Sequence, residues 1–190
     1  MDQPESLEAF FQEAVDQAMR AEGVEANPLT EHYLVQLLAT YATQPIDDTP
    51  LALKMMGAFD AAPREKRERL REVGDTSLFV SGFWTESFAR RMVDVDYYIG
   101  LGGSAYGELA RTGDGWRRDP YGDVYGALAT QFSRFVEVLT AISHRLMPPT
   151  GPRDVVKLYE RWLSTRSSWA ARRLAALGVF PQRGGGTRLQ

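Results

Sequence analysis

Between Tyr125 and Leu146, large apolar side chains recur at steps of three and four residues: Tyr125, Leu128, Phe132, Phe135, Leu139, Ile142 and Leu146. At 3.6 residues per turn this spacing puts them all on one side of a helix, and it conflicts with the two-residue alternation of a strand. The same period runs through Leu7, Phe10, Phe11, Ala14, Val15, Ala18 and Met19. Nothing in the chain reads as a buried parallel strand. The expectation is an all-α, single-domain bundle of about seven helices over residues 1–180, with 181–190 as a flexible tail.

Local punctuation divides that bundle. Gly23 fits the stop of the first helix, and Thr30 is the expected cap of a helix over 31–42, with Glu31 near its positive end. Thr49 and Pro50 are read as cap and first turn of a helix over 50–61. Pro63 starts the next one, in which the charged run 64-REKRERLRE-72 gives way to Leu78, Phe79, Val80, Phe83 and Trp84. Gly74 and Asp75 sit at that change and are expected to break or kink it. A short helix follows over 85–91. Residues 112–123 form a polar loop, after which Asp119 caps and Pro120 opens a long helix to about 147. A last helix runs to Leu177, with Gly178 as its stop. The core is assigned to the helices near 31–43, 76–84, 95–111, 121–147 and 153–177.

The segment 92-MVDVDYYIGLGGSAYGELA-110 contains G-x-G-x-x-A at Gly100, Gly102 and Ala105. A dinucleotide-binding turn of that form needs a strand before it, a crossover helix, and a second strand ending in an acid about 20 residues on. In that place stands 112-TGDGWRRDPYGD-123, which is loop. The spacing instead predicts a buried helix capped by Asp94. Tyr98, Leu101, Gly102, Ala105 and Leu109 share one face, and Gly100, Gly103, Ser104 and Gly107 form an adjacent stripe of small residues. Each interior glycine costs about 1 kcal/mol against alanine, so close packing or a ligand against bare backbone has to compensate.

Charge is uneven along the chain. Residues 1–62 carry eleven acidic side chains against Arg20 and Lys54, whereas residues 151–190 carry eight basic ones against Asp154 and Glu160; the whole chain is at −3. Either the two ends pack on each other or the basic end meets an acidic partner. The absence of cysteine excludes disulfides, thiolate metal sites and a thiol nucleophile. No apolar run approaches the roughly 20 residues of a membrane-spanning helix. The acidic start MDQPESLEAF is unlike a signal peptide, so the expected location is cytoplasmic.

Candidate chemistry is sparse. His32 and His144 lie outside any E-x-x-H or H-x-x-x-H spacing, and Asp47 and Asp48 lack the continuation of an aspartate-rich magnesium motif. Neither a cofactor nor a metal is expected. Arg90, Arg91, Asp94, Asp96, Tyr97 and Tyr98 form the densest mixture of charge and phenol. With Gly100 and Gly103, the residues Arg90, Asp96 and Tyr97 are the candidates for a ligand pocket beside the glycine helix. Trp116, Arg117 and Arg118 are the candidate anchors for a partner. The last helix sets Lys157, Arg161, Arg166, Arg172 and Arg173 among Trp162, Leu163, Trp169 and Leu174. That pattern suits a membrane surface or nucleic acid, although the aromatic residues also suit a docking face in the core.

Three runs, 33-YLVQLLATY-41, 74-GDTSLFVSGFW-84 and 97-YYIGLGGSAYGELA-110, resemble recurrent segments of a family of uncharacterised bacterial cytosolic proteins. The resemblance implies a bacterial, single-domain, all-helical protein and carries no catalytic signature. The function expected from the whole reading is a non-enzymatic interaction or regulatory protein. It would bind a protein partner, or itself, through a helical face or the Trp116 loop, with no membrane span and with nucleic acid disfavoured. The alternative is a small-molecule-binding helical protein or enzyme with its pocket beside the glycine helix.

Overall fold

The computed structural model describes residues 6–47, 49–83, 95–112, 120–146, 152–165 and 168–180. The protein is all-α, with no strand among the described residues. Its helices are α1 (Leu7–Glu22), α2 (Pro28–Thr43), α3 (Leu51–Phe59), α4 (Pro63–Phe83), α5 (Val95–Arg111), α6 (Pro120–Thr130), α7 (Phe132–Leu146), α8 (Pro152–Thr165) and α9 (Ser168–Ala176). They group into two compact units, Met1–Leu146 and Met147–Gln190.

The first unit is built around α4. Its opening turns are polar and carry ion pairs one turn apart, Glu65 with Arg69 at 2.6 Å and Arg64 with Glu68 at 3.5 Å, which support an exposed helix. From Val73 to Gly82 nearly every residue is buried, with α2, α3, α5 and α7 packed around it. The expected break at Gly74–Asp75 does not occur; α4 runs through it unbroken. Tyr106 explains the glycine. A Cβ at Gly74 would lie 2.6 Å from the Tyr106 ring, so the glycine makes room for a neighbouring helix and does not bend its own. At the far end, Thr140 of α7 donates to the Gly82 carbonyl at 2.9 Å and Ser143 to that of Phe83 at 2.6 Å. Through these two bonds α7 is tied to the last described turn of α4.

Several boundaries moved for local reasons. The cap of α2 is Asn27, not Thr30: the Asn27 side chain accepts from the Thr30 amide at 2.8 Å and its hydroxyl at 3.1 Å, while Pro28 occupies the first turn. Thr49 does not cap α3 but bonds back to Asp47. The long helix expected over 120–147 is two, α6 and α7, separated at Gln131. The last helix is likewise two, α8 and α9. Gly23 and Gly178 do end α1 and α9 in the left-handed region, at φ 61° and 78°. The expected helix over 85–91, the caps Asp94 and Asp119, and the tail 181–190 lie outside the described residues.

The core of the first unit draws on α1, which the sequence reading left out of it: Phe11, Val15 and Met19 are buried beside Leu34 and Leu38 of α2 and Phe135 and Leu139 of α7. Helix α5 is buried along Gly102, Ala105 and Leu109, as its spacing predicts, and also along Tyr106, which lies outside the predicted face; Tyr98 and Leu101 of that face are only half-buried. A Cβ at Gly102 would lie 2.4 Å from the Phe132 ring and 2.6 Å from the Ser77 Cβ, whereas one at Gly100 would meet nothing. Two alanine substitutions on the same helix should therefore act in opposite directions. Gly102→Ala is expected to destabilise by about 1–3 kcal/mol through overpacking. Gly100→Ala should stabilise by up to about 1 kcal/mol. Urea unfolding of both variants checks this, and a loss in both would mean that the Gly100 backbone is used.

Candidate functional site

Asp75 lies midway along α4, where α2 and α5 meet it. Its Oδ1 accepts two hydrogen bonds, from the Tyr33 hydroxyl of α2 at 2.5 Å and the Tyr106 hydroxyl of α5 at 2.7 Å. Tyr125 of α6 completes the wall, stacked on Tyr106 with centroids 5.9 Å apart and edge-on to Tyr33 at 5.8 Å. One turn of neighbours adds a second polar contact, Tyr41 with Thr76 at 2.8 Å, and Tyr41 stacks on Phe79. The runs 33–41, 74–84 and 97–110, separate in sequence, thus meet at this one centre.

Burial of the carboxyl among these rings raises it to about 6, although the two tyrosine hydroxyls and the nearby Arg71 charge pull the other way. Burial together with the Asp75 charge pushes the Tyr33 and Tyr106 phenols far up, and burial also raises Tyr41 and Tyr125. The phenols therefore act as neutral donors. The chemistry this supports is a three-helix tie and one proton taken up near pH 6.

Two surface features lie apart from this centre. Gly100, Gly103 and Gly107 of α5 line an open groove of about 470 Å³, whose other wall is the α6–α7 junction at Thr130–Arg134. Its two arginines are engaged, Arg111 with Glu108 at 2.8 Å and Arg134 with Glu137 at 3.1 Å and the Glu22 carbonyl at 2.8 Å. Of the proposed pocket residues, Gly100 and Gly103 lie in the groove. Asp96 and Tyr97 are exposed and do not line it; the Tyr97 ring meets Tyr98 edge-on. Arg90, and the partner anchors Trp116, Arg117 and Arg118, lie outside the described residues.

The other feature is α3. Its inner edge is held by buried Leu51 and Ala58, by Lys54 paired with Asp47 at 2.8 Å and with Glu72, and by Arg69 donating to the Gly57 carbonyl. The bond from Lys54 holds the Asp47 carboxyl down at about 2. Its outer edge is apolar: Leu53, Met56 and Phe59, three residues apart, are 58, 66 and 54% exposed. The Lys66 ammonium sits 4.9 Å from the centre of the Phe59 ring. Of the histidines, His32 is exposed and His144 buried; no cluster of three or more His, Cys, Asp or Glu side chains that could hold a metal occurs among the described residues.

No family model, curated protein or solved structure matches the chain. No helix among the described residues is long and apolar enough to cross a membrane.

The sequence reading missed Asp75 as a site and the outer edge of α3 as a surface. An acid at the point where the charged run gives way to the apolar one, with a glycine before it, was the available signal for the first. The folded carboxyl holds its proton more tightly than an unfolded aspartate does, so ionising it costs stability. That cost is absent below about pH 4, grows as pH rises through about 6, and amounts to about 3 kcal/mol above it. Asp75→Asn keeps an acceptor for both tyrosines without the charge, and its stability relative to wild type should rise by about that much between pH 4 and 7 in denaturant titrations. Asp75→Ala strands two hydroxyls and should cost about 2–4 kcal/mol at pH 4. A wild-type-to-Asn difference that stays flat with pH would show that the carboxyl ionises freely in the fold.

Proposed function

We propose that this is a non-enzymatic cytoplasmic protein that works by binding a protein partner, with the outer edge of α3 as the contact surface. The observation that carries the reading is that Leu53, Met56 and Phe59 face solvent together on a helix whose opposite edge is clamped. Leaving these three large apolar side chains more than half exposed forgoes about 1–2 kcal/mol each that full burial would return. Exposed apolar patches of this kind mark interaction surfaces. Each successive pair is one helical turn apart, close enough to be covered together by one partner.

Because the three side chains are exposed, changing them should leave the fold intact. Met56→Glu with Phe59→Glu is expected to keep the wild-type melting temperature and to remove the partner recovered by affinity capture from the native host. The weakening should be at least about thirtyfold, as for the loss of a central anchor. Retention of the same partner at undiminished affinity would reject α3 as the surface.

A second reading, a small molecule bound in the groove of α5, is favoured by one observation. Added Cβ atoms at Gly103 and Gly107 would reach no neighbour closer than 3.8 Å, so packing does not require those glycines. Under this reading a nucleotide, cofactor or acyl compound at about 100 times its dissociation constant should stabilise the protein by about 2.7 kcal/mol in a thermal-shift screen. Gly103→Leu should abolish that shift; an unchanged shift in the variant would place the ligand elsewhere.

A further inference from the structure

The second unit carries features that neither reading uses. In residues 151–190 eight basic side chains stand against Asp154 and Glu160, in a chain that is acidic overall. Helix α8 buries Leu158 and Trp162 but leaves Val156 and Leu163 at 57 and 46% exposure. These two lie seven residues apart, on one stripe of the helix and about 10 Å from each other. The sequence places basic residues on the same helix at positions 153, 157 and 161. After α9 the chain turns at Gly178, where the Val179 amide bonds back to the Leu174 carbonyl at 2.8 Å and closes the helix. Leu177 and Phe180, on either side of that turn, are 40 and 75% exposed.

We propose that this unit is a surface for docking onto an anionic lipid bilayer. Positive charge supplies attraction to the headgroups, while single aliphatic and aromatic side chains enter the boundary of the acyl region. The identity of the exposed residues favours lipid over nucleic acid. Binding to a nucleic acid strand draws on stacking aromatics beside the cations. Here, among the described residues, Trp162 is turned inward, and three of the four exposed large apolar side chains are aliphatic, Phe180 being the aromatic one. Their distribution also favours a fluid partner. They are separate side chains strung along residues 156–180, each able to insert on its own, whereas a rigid protein surface selects one contiguous patch.

The test is co-sedimentation of the full chain with vesicles of phosphatidylcholine alone and of phosphatidylcholine containing phosphatidylglycerol. The protein should partition onto the anionic vesicles at low salt and remain in solution with the neutral ones. Partition should fall by about tenfold or more when salt is raised from about 0.05 to 0.5 M. Leu163→Ser with Phe180→Ser should lower it at least about tenfold while leaving the helical circular dichroism unchanged. Absence of binding to anionic vesicles at low salt, equal binding to both vesicle types, or full retention by the folded double variant would overturn the proposal. So would tighter binding to single-stranded RNA than to the anionic vesicles.

Discussion

One oxygen of one carboxyl group holds the first unit in register. Oδ1 of Asp75 receives hydroxyls from α2 and α5 while its own backbone belongs to α4, so three helices have their relative rotation fixed at a single atom. The glycine before it makes this geometry possible, since only a residue without Cβ lets the Tyr106 ring lie against α4 at that height. Tyr106, fully buried, then provides the surface on which Tyr125 stacks and against which Phe132 is tilted, 6.0 Å between centroids. In this way α6 and the start of α7 take their positions from a contact that begins at Asp75. Apolar packing supplies most of the free energy, but apolar contacts tolerate sliding, and a buried polar tie of defined geometry does not.

The fold class was legible because it rests on periodicity, and periodicity survives without knowledge of partners. Leu109, Leu128 and Leu139 could be placed inside from their spacing. Errors arose where one local signal serves two purposes. Gly74–Asp75 has the composition of a helix break, and only the ring of Tyr106, thirty-odd residues away, turns it into a close contact within a continuous helix. Asn27 and Thr30 are both good caps; Pro28, pre-set for a first turn, decides for Asn27. The break at Gln131 has no comparable sequence signal, because apolar spacing runs through it without a skip.

The candidate sites were less legible for a related reason. Asp75 becomes a titrating group only through residues supplied by other helices, and a single sequence does not show which tyrosines reach it. For α3 the difficulty is reversed. The run 51-LALKMMGAF-59 is apolar on nearly every side, and a helix of that kind is ordinarily buried. Leu51, Lys54, Gly57 and Ala58 take the inner edge, the lysine reaching Glu72 and the Gly57 carbonyl accepting from Arg69, and Leu53, Met56 and Phe59 are left on the outer one.

The glycines of α5 show the same division of labour between neighbours. Gly102 is required by packing, since Phe132 and Ser77 occupy the space a side chain would need. Gly100, Gly103 and Gly107, one step around the helix, are under no such demand, although each lowers helix stability by about 1 kcal/mol relative to alanine. A helix that already contains one obligatory glycine gains nothing in its own stability from three more. The compensation has to come from outside the helix, and in this fold the open groove along those residues is where bare backbone meets solvent. Glycines that no close contact among the described residues demands are therefore a surface feature to be explained by what approaches them.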